Sequence, residues 1–329
     1  MISTLYAAVA RRRREWYANR PEARKRLRHP VISIGNIAVG GRGKTPFTAT
    51  VARLLLDMGE VPAILSRGYG RTEPSDGSIV VRDREGIRAD VARSGDEPFM
   101  LARQLEGAIV ISGADRYVSG RLAELHLGAT VHLLDDGFQH FQLDRDADIV
   151  LVNRADLNGA RTLPTGRLRE PPDVLIAADA IVSLDSDVAI DTPHAVTFRA
   201  TRVTGEMVFE GPALPVTPHR RVLVVAGIAD PDPFFEAVGR AGWEVAATQT
   251  FRDHHPFSRR DVASLFARAR AIGAAALVTT EKDFVRLLAH RPFAAPVGWL
   301  PLTIEPEPAG EFRAWLASAV AAARDSIIA

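Results

Sequence analysis

Between residues 31 and 184, short unbroken apolar runs alternate with stretches whose apolar residues recur every three or four positions. The runs are VISIG from Val31, VPAILS from Val61, AIVIS from Ala108, TVHLLDD from Thr130, ADIVLVN from Ala147 and AIVSL from Ala180. A strand apolar on both faces is one buried on both faces, so these runs predict a parallel sheet sandwiched by helices. The helical stretches FTATVARLLLDMG, stopped at Gly59, and DRYVSGRLAELHLG supply that cover.

Around Ala195 to Gly211 the period changes to two, in AVTFRATRVTGEMVFEG. That alternation predicts a β-hairpin serving as a linker. A second α/β unit follows: RVLVVAG, a helix near PFFEAVGRAG, WEVAATQTF, the helix SRRDVASLFARARAIG and AALVTT. The last helical stretch, about Gly310 to Ser326, is expected to pack on this second unit. The expected organisation is a segment 1–30, a nucleotide-binding domain 31–184, a hairpin hinge 185–220 and a C-terminal α/β domain 221–329.

Charge adds one feature. The net charge is +1, yet residues 1–30 hold nine Arg or Lys against two Glu, a local +7, so the other 299 residues sum to −6. The apolar run Ile2 to Ala10 precedes the arginines and is too short to span a bilayer, and no secretory leader is expected. Leu5, Tyr6, Val9, Trp16 and Tyr17 beside arginines suit a helix lying on an anionic lipid surface; a solvated basic helix or a nucleic-acid arm is the alternative. The chain has no cysteine, so disulfides and thiolate chemistry are excluded.

The first apolar run leads into AVGGRGKT, residues 38–45, close to the phosphate-loop pattern GxxxxGK[ST] with Ala38 in place of the first glycine. Gly40, Gly41 and Gly43 let backbone N–H groups turn toward phosphate oxygens, with Arg42 between them. Lys44 meets the β/γ charge, and Thr45 is a candidate Mg²⁺ ligand. Pro46 suits a first helical turn, where the missing N–H costs nothing. Asp135 and Asp136 close an apolar run; two adjacent carboxylates there call for a cation, although Asp-Asp-Gly is also a common turn. NRAD, Asn153 to Asp156, nearly matches a guanine-reading NKxD, so a P-loop GTPase or metallochaperone-type switch stays open. DHH, Asp253 to His255, lacks partners at metal-site spacing.

Taken in order, VGGRGKTP, LSRGYGR, SGDEP, LLDDGFQH, LPTGRLREP, FRDHHPFS and TTEKDFVRL resemble the tetraacyldisaccharide 4'-kinases, the lipid A 4'-kinases of Gram-negative bacteria. The resemblance implies a P-loop NTPase-like domain plus a smaller α/β domain. It also implies transfer of the γ-phosphate of ATP to the 4'-hydroxyl of an acylated glucosamine disaccharide 1-phosphate. Asp96 of GDEP would be the base, assisted by His254 of DHH, with His255 not excluded. Mg²⁺ would be held by Asp136, Gln139 and Glu170, with Asp135 behind them or on Thr45. Arg67, Tyr69, Arg71, Arg116 and Arg169 are candidate substrate contacts, because arginines at strand ends clamp phosphates bidentately. The expectation is a peripheral monomer on the cytosolic face of the inner membrane, with no nucleic-acid partner. Asp96 also sits where a helix N-cap belongs, which is its purely structural reading.

Overall fold

The computed structural model describes residues 1–41, 43–73, 76–185, 192–213 and 221–328. Arg42 and residues 186–191 and 214–220 of the expected 185–220 linker lie outside the described residues. The chain forms two compact units, residues 1–202 with 304–329, and residues 203–303.

The strands are β1 (Val31–Asn36), β2 (Pro62–Ser66), β3 (Ile79–Arg82), β4 (Ile109–Ser112), β5 (Val131–Asp135), β6 (Ala147–Val152), β7 (Ala180–Ser183), β8 (Val196–Thr204), β9 (Val208–Glu210), β10 (Arg221–Ala226), β11 (Glu244–Thr250), β12 (Ala276–Thr280), β13 (Val297–Leu300) and β14 (Leu302–Glu307). The helices are α1 (Ile2–Ala18), α2 (Lys44–Asp57), α3 (Val91–Ser94), α4 (Asp96–Gln104), α5 (Arg116–Leu122), α6 (Arg154–Leu157), α7 (Asp232–Arg240), α8 (Arg259–Ala271), α9 (Glu281–Leu287) and α10 (Ala309–Ile328).

The first sheet runs β14-β8-β7-β6-β1-β5-β2-β4-β3. Neighbours from β8 to β4 pair in parallel, and β3 closes the edge antiparallel. Every residue of β1, β2, β5 and β6 is buried, as strands covered on both faces require. The second sheet, β11-β10-β12-β13-β9, is parallel except for the β13–β9 pair.

The structure corrects two expectations. The alternating stretch 195–211 is no hairpin: β8 pairs with β7 in the first sheet, while β9 pairs with β13 in the second. Alternation reports one buried face and one open face, and it does not name the partner. The last helix does not join the second unit either. Phe312 of α10 is fully buried, 5.6 Å from the Phe47 ring of α2 and 5.1 Å from Phe198 of β8. These edge-on aromatic contacts complete the core of the first unit.

Candidate active site

The loop after β1 stands between β5 and β6, at the centre of the first sheet. Its last glycine, Gly43, caps α2 at φ 76°, a left-handed conformation that side chains resist. A Cβ there would also meet Ile304 at 2.1 Å. Lys44, Thr45 and Pro46 make the first turn of α2, so the N–H groups of Lys44 and Thr45 are left as unsatisfied donors and Pro46 has none to leave.

Register places Asp135, the end of β5, beside Ile34 of β1. Its oxygens accept from Thr48 Oγ1 at 3.2 Å and Thr45 Oγ1 at 3.4 Å. Burial, with Glu97 and Asp136 nearby, pushes its carboxyl up to about 7 against the pull of Lys44 and Thr48. Asp136 accepts from Arg169 NH1 at 2.8 Å on both oxygens and lies 3.5 Å from Lys44 Nζ. Burial raises its carboxyl, but Lys44 and Arg169 outweigh it and hold it below the ordinary range.

Arg169 and Glu170 arrive by a backbone zipper. Val39 N donates to Arg167 O at 2.8 Å and Arg169 N to Ile37 O at 2.7 Å, so LPTGRLREP runs along the loop. Gln139 donates to Glu170 Oε2 at 3.1 Å and to Asn36 O at 2.9 Å. Glu170 is not the surface acid that its proline-rich neighbourhood suggests: it is 2% exposed, and both oxygens are held by Arg14 of α1, at 2.9 and 2.7 Å.

A second cluster is cationic. Arg116, at the start of α5, is buried, donates to Gly113 O and Ala114 O at 3.3 Å, and leaves Nε without a partner. Burial, then the charge of Arg67, lowers its guanidinium to about 10, still charged at neutral pH; Asp135 and Asp136 pull the other way. Arg71 donates to Ser112 Oγ, which donates to Ser94 O at 2.7 Å. Tyr69 of the same loop is 64% exposed. His140 is held neutral, at about 4, by burial and then by Arg116 and Arg145. Positive side chains close enough to act on one another, as Arg67 and Arg71 do on Arg116, suit a phosphate.

Asp96 is the first residue of α4, one position past the cap, which is Gly95. Its carboxylate is 2% exposed, accepts from Glu97 N at 2.9 Å, and would stand 3.0 Å from a Cβ at Gly70. The purely structural reading as an N-cap therefore does not describe it.

His254 belongs to the second unit, Asp96 to the first. The two DHH histidines differ in their surroundings. His255 stacks on Phe251 at 4.5 Å and meets Asp261 Oδ2 at 3.2 Å, inside the capping box of α8. His254 Nε2 lies 3.0 Å from Lys282 Nζ. An ammonium only donates, so within this pair the imidazole nitrogen is the acceptor. Asp136 and His254, at φ 58° and 56°, are the non-glycine residues with positive φ among the described residues, a strain that collects at working sites.

Sequence reasoning passed over Arg14, Asn36, Lys282 and His140. Asn36, fully buried at the end of β1, leaves both side-chain amide atoms without partners, and only its position before the loop could have flagged it. NRAD is taken up locally: Asn153 and Asp156 form the capping box of α6, and Asp156 pairs with Arg167, so nothing of it stands ready for a base. Among the described residues no group of three His, Cys, Asp or Glu is arranged for a metal, and no helix is long and apolar enough to cross a membrane.

A phosphate loop on the central strand with acidic residues on its neighbour defines the class: a P-loop nucleotide-binding protein. The family model described as "Tetraacyldisaccharide-1-P 4'-kinase" matches residues 1–321, and the chain belongs to that family. Among its relatives, the "Tetraacyldisaccharide 4'-kinase" of Geobacter metallireducens is 41% identical over 295 residues, 87% of either chain. The protein of the same name from Rhodopseudomonas palustris is 36% identical over 331 residues, covering 98% of this chain and 92% of its own. A crystal structure of LpxK from Aquifex aeolicus in complex with ATP superposes with a TM-score of 0.80 at 31% identity, covering 97% of each chain.

Proposed function

We infer that the protein transfers the γ-phosphate of ATP to the 4'-hydroxyl of a tetraacyldisaccharide 1-phosphate, a step of lipid A biosynthesis. The observation that carries this reading is Lys44 at the head of α2, 3.5 Å from Asp136, in a chain that the family model matches along residues 1–321. Backbone N–H groups of the loop and Lys44 would hold the β- and γ-phosphates. Asp96 is proposed as the base that takes the acceptor's proton, because a sugar hydroxyl is a poor nucleophile without one. His254 is proposed to assist, its Nε2 already occupied by Lys282. Arg67, Arg71 and Arg116 are proposed to clamp a substrate phosphate, with Tyr69 beside them and Arg169 on the transferring group.

Mg²⁺ is proposed as the companion of ATP. The donors at Thr45, Asp135, Asp136 and Gln139 are the hard oxygens this ion takes, and Thr45 Oγ1 already reaches Asp135 at 3.4 Å. Bound there, the ion would offset charge on the phosphates. Glu170 fits this set less well, because Arg14 occupies both of its oxygens.

We propose further that α1 rests on an anionic membrane surface. Ile2, Leu5, Tyr6, Val9 and Trp16 are exposed along one stripe, while Ser3, Ala7, Ala10, Arg14 and Tyr17 are half-buried along another. A peripheral position at the cytosolic face of the inner membrane would follow.

The test uses γ-labelled ATP, Mg²⁺ and micellar tetraacyldisaccharide 1-phosphate with the parent, Lys44→Ala and Asp96→Asn. Label on the lipid is expected with the parent. Lys44→Ala should lose ATP binding, and Asp96→Asn should keep ATP affinity within about threefold while turnover falls about a hundredfold or more. ATP bound without label reaching the lipid would overturn the reading.

A further inference from the structure

We propose that Arg14 is a positioning residue that ties the N-terminal helix to the nucleotide site, so that the seating of α1 sets the arrangement of the groups facing the phosphate loop. The inference rests on the kinase reading above and adds a role for a residue outside the loop and strand motifs.

The observations begin with the contact itself. Arg14 meets Glu170 through two parallel hydrogen bonds, Nε to Oε1 at 2.9 Å and NH2 to Oε2 at 2.7 Å. Its side chain is 15% exposed and that of Glu170 is 3% exposed, so water screens the pair little. The guanidinium also lies over the Phe138 ring at 4.2 Å and the Phe141 ring at 4.9 Å. Both rings belong to the turn that carries Asp136 and Gln139. A planar fork stacked on rings is a geometry that lysine cannot reproduce.

From Glu170 the contacts continue inward. Gln139 Nε2 donates to Glu170 Oε2 at 3.1 Å, and Gln139 Oε1 accepts from Arg169 NH1 at 3.4 Å. Arg169 NH1 donates to Asp136 at 2.8 Å, and Asp136 stands 3.5 Å from Lys44 Nζ. Donors and acceptors alternate along this path, so moving Arg14 leaves Glu170 with surplus acceptor capacity that Gln139 or Arg169 must turn to fill. Such networks re-pair as a unit. Other anchors of α1 are weaker: the Arg11–Asp173 pair is about half exposed on both sides, and Ser3 reaches Thr165 at the surface. Arg13 and Tyr17 reach the Phe141 ring, at 5.1 and 5.7 Å, whereas Arg14 bonds Glu170 directly.

The experiment compares Arg14→Gln and Arg14→Lys with Asp173→Asn, which removes the exposed pair. Two readouts are taken on the full chain: hydrogen–deuterium exchange of residues 134–142 without ligand, and turnover with micellar substrate, where surface attachment is not required. We expect Arg14→Gln to raise exchange in 134–142 while β6 and β7 stay protected. Its kcat should fall tenfold or more, and KM for ATP should change less than threefold. Arg14→Lys should restore less than half of the lost kcat, and Asp173→Asn should match the parent. If kcat for Arg14→Gln stays within twofold of the parent, or exchange rises throughout the first unit, the positioning role is overturned. If Arg14→Lys recovers the full kcat, charge alone suffices and the proposed geometry is likewise overturned. Altered exchange in 134–142 with a parent that transfers no label would fail the kinase reading and leave the structural coupling standing.

Discussion

Gly95 shows how a single residue serves the site. It holds φ at 89°, and a Cβ there would stand 2.2 Å from the carbonyl oxygen of Tyr69. The close approach lets the LSRGYGR loop lie on the start of α4, where Asp96 begins. Gly95→Ala combines a disfavoured backbone with a clash against main chain, so it should destabilise the first unit by roughly 2–4 kcal/mol. Urea unfolding of the variant checks this, and a midpoint equal to the parent's would show the loop free to shift. Sequence showed the GDEP motif, but not that its glycine lies against the Tyr69 carbonyl of a distant loop.

At the scale of elements, two contacts decide whether the first unit holds its ends. Glu124 Oε1 accepts from Arg28 N at 2.7 Å, His29 N at 3.0 Å and His132 Nε2 at 3.3 Å, fastening the segment that enters β1. Burial raises its carboxyl, but the bonds from His132 and the two backbone donors outweigh that and hold it at about 2. A carboxyl depressed in the folded state contributes stability above its unfolded value near 4.5 and loses it as pH falls toward 2. Glu124→Gln should therefore lower stability at pH 7 by about 1 kcal/mol after allowing for solvent screening, and by less as pH drops through that window. Thermal melting from pH 7 to pH 3 follows the difference; a gap independent of pH would contradict it. At the other end, Phe312 of α10 fills the space between Phe47 and Phe198. Phe312→Ala should cost about 3–5 kcal/mol and lower the protection of α2, as hydrogen exchange would report.

For the whole molecule the question is whether the two units act together. Asp96 and His254 are placed on different units, and the proposal gives them one proton-transfer step. Residues that act as one catalytic group lose their effect together. The Asp96→Asn, His254→Gln double variant should accordingly fall in kcat no further than the slower single variant, within about threefold. Multiplying losses would show that the two act independently.

What the sequence determined by itself follows from local physics. Apolar runs buried on both faces announced the parallel sheet, and the order strand, glycine loop, lysine, helix announced the phosphate site. These features arise among residues adjacent in the chain, so spacing reports them. Motifs in fixed order announced the family. The partners of β8 and β9, the burial of α10 against α2 and the grip of Arg14 on Glu170 were decided only in three dimensions. Each joins residues separated by tens to hundreds of positions. An alternating strand or an arginine-rich helix carries the same pattern whichever partner it meets. The choice was made by which surface its apolar face and its charges could be buried against.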